Sequence, residues 1–331
     1  MSAVSNGLIE WLLQGPPWVE YGTRIDLLGQ AQHCPEVVRA RQAMLKHPQI
    51  EQLLSELYTW PGRPILRHND AGHPLHKLVF IADLGLSSTD PETSGVVERV
   101  MQCRSREGVF QTLANISPRW GGSGSDQPGW MLCDSPSILY SLARLGLDKN
   151  PAVLSAAAHL AGLSLEAGWP CAVSPEFGRF RGPGRKADAC PYATLITLKA
   201  LVQIPEWRNS RVCLNGAQAL LDLWESRRQL RPYLFAMGTG FARLKSPFIW
   251  YDILHLLEVL SRLPVLHKDR RFVEMLEIVR GKSDCSGRFT PESVWKAWAD
   301  WDFGQKRVPS YYVTLQIYRI LNRIEATTQL R

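Results

Sequence analysis

The chain has 331 residues, 45% of them hydrophobic, which is apolar material for one large core or two ordinary ones. Its 38 Lys and Arg against 31 Asp and Glu give a net charge of +7, which favours an anionic ligand but is too diffuse to point to nucleic acid. The seven cysteines lack disulfide-scaffold density, no apolar run is long enough to span a bilayer, and Met1 to Gly15 lacks the features of a signal peptide. A cytoplasmic protein without an integral membrane segment is expected.

Six prolines each open an apolar, helix-like segment: Pro17 (PWVEYGTRIDLLG), Pro74 (PLHKLVFIADLGL), Pro136 (PSILYSLARLGL), Pro191 (PYATLITLKALVQI), Pro247 (PFIWYDILHLLEVL) and Pro309 (PSYYVTLQIYRIL). They recur at intervals of 55 to 62 residues. Proline is tolerated at the first helical position because its missing N–H would have had no intrahelical partner, and Ser135 and Ser246 offer N-cap side chains before two of these segments. A second start signal follows at Pro35, Pro91, Pro151, Ser210 and Asp269 to Phe272, each leading an amphipathic run. The apolar segments read as inner helices and the amphipathic ones as outer helices. Gly108, Gly168 and Gly287, just before Phe110, Trp169 and Phe289, are expected to end outer helices in the left-handed conformation. The 22 to 28 residues from each of these glycines to the next proline form loops long enough to be functional.

The fold class is therefore all-α, one domain over residues 1–331, with the hairpins arranged as a closed ring or an open solenoid. In a ring, all six inner helices present their N-termini at one mouth, and their partial positive charges suit a phosphate or diphosphate.

Four groups of residues carry chemistry. RHNDAGHPLH places His68, Asp70, His73 and His76 at the start of the second inner helix, for acid–base work or for loop packing and capping. Cys133-Asp134 holds the equivalent position in the third repeat, where a packed thiol is the default and a metal role the lesser expectation. FGRFRGPGRK carries Arg179, Arg181, Arg185 and Lys186, a solvated loop or a site for an anionic substrate. Asp188 and Cys190 precede the fourth inner helix, and Asp252 and His255 stand three apart on the fifth. Asp188, Cys190 and His255 would give Zn²⁺ three ligands and leave one tetrahedral position open, with Asp252 orienting the imidazole. The alternative is a buried Cys, a capping Asp and a core His. Trp130, Trp169 and Trp250, with Trp295, Trp298, Trp301 and Phe303, are either pocket walls or core.

The repeat pattern, together with Arg185-Lys186, Asp188-Ala-Cys190-Pro-Tyr192 and Asp252-Ile-Leu-His255, resembles the protein prenyltransferase β subunits and the wider terpenoid cyclase family. That resemblance implies an (α/α)6 toroid of six helical hairpins around a central cavity. It also implies a Zn²⁺ cofactor on Asp188, Cys190 and His255, a diphosphate held by Arg185 and Lys186, and Tyr192 and Tyr251 beside it. Trp130 and Trp250 would then line the pocket of an isoprenoid-type substrate, and the partner would be a separate chain or a second copy. Pro191 departs from the family's Cys-Tyr pair. The Asp-x-Asp-Asp and Asp-Asp-x-x-Asp motifs of other members are absent. Three functions follow: zinc-dependent transfer to a thiol, zinc-dependent hydrolysis or lyase chemistry with His68, His73 or His76 moving protons, and non-catalytic binding of a peptide or lipid.

Overall fold

Proline and short polar side chains set the helix starts in the computed structural model, which describes residues 4–178, 180, 188–229 and 237–329. Along the chain come α1 (Asn6–Leu13), α2 (Pro17–Gly22), α3 (Pro35–Leu45), α4 (Pro48–Leu57), α5 (Pro74–Leu84), α6 (Pro91–Gln102), α7 (Ser135–Leu142) and α8 (Pro151–Gly162). They are followed by α9 (Pro191–Leu201), α10 (Pro205–Arg208), α11 (Arg211–Glu225), α12 (Ile253–Leu260), α13 (Arg270–Arg280) and α14 (Tyr311–Gln329). Two short strands, β1 (Thr112–Ala114) and β2 (Gln127–Gly129), pair antiparallel with Thr112 opposite Gly129.

Four of the six marked prolines lie in the first turn of inner helices α2, α5, α7 and α9. α12 and α14 start beyond Pro247 and Pro309, because carboxylates cap them instead. Asp252 accepts from the His255 N–H, and Asp302 accepts from the Tyr312 N–H. The outer helices α3, α6, α8, α11 and α13 begin where expected. Gly108, Gly168 and Gly287 do have positive φ, but α6, α8 and α13 have already ended. These glycines sit in tight turns, such as Ser105 to Gly108 and Asp284 to Gly287, that aim the next aromatic residue into the core.

The chain divides into two compact units, one of residues Leu53–Met237 and one of Met1–Gln52 with Gly238–Arg331. In the first, α7 packs between α5 and α9, with α8 against α7 and α9, and α11 against α9. Every residue of α9 is buried, as expected of an inner helix. Its one charge is paired: the Lys199 ammonium lies 3.9 Å from the Asp83 carboxylate and 4.2 Å from the centre of the Tyr140 ring, and the Tyr140 hydroxyl donates to Asp83. A buried charge without such partners would cost several kcal/mol, so the trio ties α5, α7 and α9 together.

In the second unit α14 packs against α12 and α2, with α13 against α12 and α3 against α2. The first and last inner helices, α2 and α14, are thus neighbours within this unit. Among the described residues no helix is long and apolar enough to cross a membrane.

Candidate active site

Backbone pairing around the starts of α7 and α9 gathers three cysteines that are far apart in sequence. Residues 130–132 run beside 172–174, with the Leu132 N–H donating to Ala172 O at 2.9 Å and the Ser174 N–H to Trp130 O at 2.8 Å. Residues 169–170 run beside 189–190, where the Cys190 N–H donates to Trp169 O at 2.7 Å. Cys133, Cys171 and Cys190 therefore converge, and the Cys133 thiol lies within hydrogen-bonding reach of the other two sulfurs. Cys133 and Cys190 are buried, and Cys171 is partly exposed.

His68 completes the group. Its Nδ1 is 3.0 Å from both carboxylate oxygens of Asp134, a residue with no exposed surface at the start of α7. The His68 backbone is fixed from α5, where His76 Nε2 donates to His68 O at 2.9 Å. About a third of the His68 side chain stays exposed. It lines a cavity of about 340 Å³ whose other walls are Ile65, Leu66, Ile116, Trp120, Met131 and Phe180, with Asn115 and Ser117 as the polar ones.

The electrostatics are coupled. Burial opposes a charge on His68, but Asp134, with smaller help from Cys171 and Cys190, outweighs it and raises the imidazole pKa to about 9. The Cys190 thiol falls to about 7. The largest cause is hydrogen bonding from Cys133, which burial opposes, and the Ala193 and Tyr192 N–H groups at the start of α9 and His68 add to it. Cys171 is lowered by the same Cys133 hydrogen bond against burial. Cys133, which supplies the proton, is pushed well above the ordinary thiol range by those hydrogen bonds and by burial. His68 is thus held charged near neutral pH, while Cys190 and Cys171 are biased towards thiolate and Cys133 towards the thiol.

The other expected site residues have structural employment. Asp70 pairs with Arg63, which lowers its carboxyl. His73 caps α5: its Nδ1 accepts from the Leu75 N–H at 3.1 Å, and its Nε2 donates to Arg63 O at 2.8 Å. Burial lowers His73 and takes His76 to about 4, so both are neutral and serve as scaffold. Tyr192 is buried, which pushes its phenol well up, and Trp130 is buried edge-on to His159. Trp169, Trp298, Trp301 and Phe303 are core residues.

In the other unit, Tyr251 packs on Phe241. The expectation that Asp252 orients the His255 ring is corrected: Asp252 caps the backbone N–H of His255, while the ring Nδ1 donates to Trp250 O at 2.8 Å and the ring stacks on Phe248. Arg179, Arg181, Arg185 and Lys186 lie outside the described residues.

The expected Zn²⁺ set does not fit. Asp188 is exposed, Cys190 is buried against Cys133, and among the described residues no three His, Cys, Asp or Glu side chains are placed to hold a metal ion, Asp188, Cys190 and His255 included. Cys171 carried no motif in the sequence. Only the pairing of 172–174 with 130–132 reveals it.

No family model matches the sequence, and no curated protein matches it. Among solved structures, the chain is similar to the apo form of the type II terpene cyclase MstE from Scytonema at 11% identity, covering 94% of this chain and 88% of that one, with a TM-score of 0.43. It is similar to the GH76 α-mannanase of Bacteroides thetaiotaomicron at 10% identity, with 96% and 87% covered and a TM-score of 0.46. A protein from Actinoplanes gives 12% identity, 94% and 89% coverage and a TM-score of 0.38. Likenesses this distant carry nothing about activity.

Proposed function

We propose that the protein is a thiol-dependent enzyme in which Cys190 attacks an electrophilic carbon of a substrate seated beside His68. His68 moves the proton, and Asp134 holds the imidazole in place and in its charged form. The observation that carries this reading is the meeting, within one unit, of the His68–Asp134 pair with Cys133 and the two cysteines it hydrogen-bonds, Cys171 and Cys190. A thiolate at a helix N-terminus beside an imidazolium is how a buried sulfur becomes a nucleophile at neutral pH. Zinc-dependent transfer to a thiol through Asp188, Cys190 and His255 has less support, because Cys190 is engaged with Cys133 and Asp188 faces solvent.

The test is limiting iodoacetamide at pH 7 followed by peptide mapping, with exposed Cys285 as the internal standard. Cys190 is expected to be alkylated ahead of Cys285. Alkylation of Cys190 no faster than Cys285, or of Cys171 in its place, overturns the assignment.

A further inference from the structure

We infer that the cavity beside His68 receives the apolar chain of an activated acyl group, whose carbonyl is then presented to Cys190. This rests on the thiol reading above and names its substrate class. Five of the walls named above, Ile65, Leu66, Ile116, Met131 and Phe180, are aliphatic, thioether or phenyl side chains. A volume of about 340 Å³ is at the lower end of ligand pockets, the size for a short chain rather than a large ring system. At the rim, Leu66 and Trp120 leave 69% and 58% of their surface in water. Exposed large hydrophobic side chains grouped at one mouth are what an incoming apolar tail would cover.

The walls are positioned by structure rather than by chance. The Ile65 N–H donates to Leu113 O at 2.8 Å, which docks the 65–68 segment on the β1–β2 hairpin. The same segment ends in His68, so the apolar wall and the proton carrier share one stretch of chain, and Met131, another wall, stands two residues before Cys133.

The step balances without an added reagent. The Cys190 sulfur forms a bond to the acyl carbon, and the bond from that carbon to the leaving group breaks. The leaving group departs with the electron pair and takes the proton of His68, which is left as neutral imidazole. Water then attacks the thioester, gives its proton to His68 and returns the thiolate.

p-Nitrophenyl esters from acetyl to decanoyl provide the test, with Cys190 acylation read by mass spectrometry and nitrophenolate release by absorbance. The acylation rate constant per unit ester concentration is expected to rise about fourfold per added methylene until the cavity is full. Leu66→Asp should collapse the octanoyl-to-acetyl ratio towards one. Val265→Asp, an equally exposed apolar position elsewhere, should leave the ratio as in the wild type. Cys190 acylated at rates independent of chain length, or a ratio that Leu66→Asp does not move, overturns the acyl pocket while the thiol reading stands. Failure of any ester to acylate Cys190, together with iodoacetamide labelling no faster than Cys285, overturns the thiol reading itself.

Discussion

The fourth and sixth repeats approach their inner helices by the same route and put different atoms at the same place. In the fourth, the Trp169 N–H donates to Thr194 Oγ1 at 2.9 Å and Trp169 O accepts from the Cys190 N–H at 2.7 Å. In the sixth, the Phe289 N–H donates to Thr314 Oγ1 at 3.0 Å and Phe289 O accepts from the Ser310 N–H at 2.9 Å. Cys190 and Ser310 are thus equivalent N-terminal residues of α9 and α14. Ser310 Oγ is fully used, accepting from the Val313 N–H at 3.1 Å and donating to Asp302 at 2.7 Å. The sulfur of Cys190 instead turns to the Cys133 thiol, with the His68 imidazolium nearby. One repeat spends this position on a cap, and the other leaves it for chemistry.

The sharpest way to break the comparison is to give the fourth repeat the atom of the sixth. Cys190→Ser should fold with a nearly unchanged thermal midpoint at pH 7, where the thiolate adds little to stability and a hydroxyl is what Ser310 shows the position to accept, yet lose about a thousandfold or more in ester turnover. Turnover surviving within tenfold would show that the sulfur is packing material. Asp134→Asn should come next, lowering turnover about a hundredfold by removing the charge that keeps His68 protonated and aligned, with Cys190 still present to mass analysis.

Glycines test the shared route itself. Gly168→Ala places a methyl 2.5 Å from Thr194 Oγ1 at a backbone φ of +103°, and should cost about 2 kcal/mol or more in denaturant unfolding. Gly287→Ala meets the Tyr318 hydroxyl at 2.7 Å and should cost a similar amount, whereas Gly108→Ala, with Ser155 Oγ at 3.4 Å, should cost less. Equal costs at all three would mean that positive φ, not contact with the inner helix, sets the penalty. Smaller still, Ser310→Ala should cost about 1 kcal/mol as a lost cap, with no effect on ester turnover.

The helical hairpins were legible because their signals are local. Pro74 and Pro191 fix helix starts whatever surrounds them, and the apolar run of α9 declares its burial. Pro247 and Pro309 misled because Asp252 and Asp302, which the proline repeat does not mark, cap α12 and α14. The site was half legible. His68 stood out in a histidine-rich stretch and Cys190 at a helix start, but the stretch also held His73 and His76, whose rings are bound to backbone groups. Cys171 was invisible because its partners come from backbone pairing across about forty residues, which no spacing rule encodes. The Asp-x-Cys…His spelling pointed to a metal because side-chain direction is absent from sequence: Asp188 and Cys190 stand two apart, yet one faces water and the other the core.

The smallest effect separates the two residues at the heart of the site by the sign of their response to pH. His68 has its pKa raised from 6.5 to about 9 by folding, so its contribution to stability is complete below about pH 6.5 and is lost as pH climbs through 9. Cys190 is depressed from 9 to about 7, so its contribution is complete above about pH 9 and is lost as pH falls through 7. Between pH 7 and 9 the two slopes oppose one another, and the unfolding free energy of the wild type should be nearly level there, with His73 and His76 titrating lower. Cys190→Ser should unmask a stability that declines with rising pH, because Asp134 still charges His68. His68→Ala should unmask one that rises, because Cys133 and the α9 N–H groups still favour the thiolate. Denaturant titrations at pH 7, 8 and 9 on the three proteins decide it, and two variants sloping the same way would mean that thiolate and imidazolium are not a charge pair of the folded state.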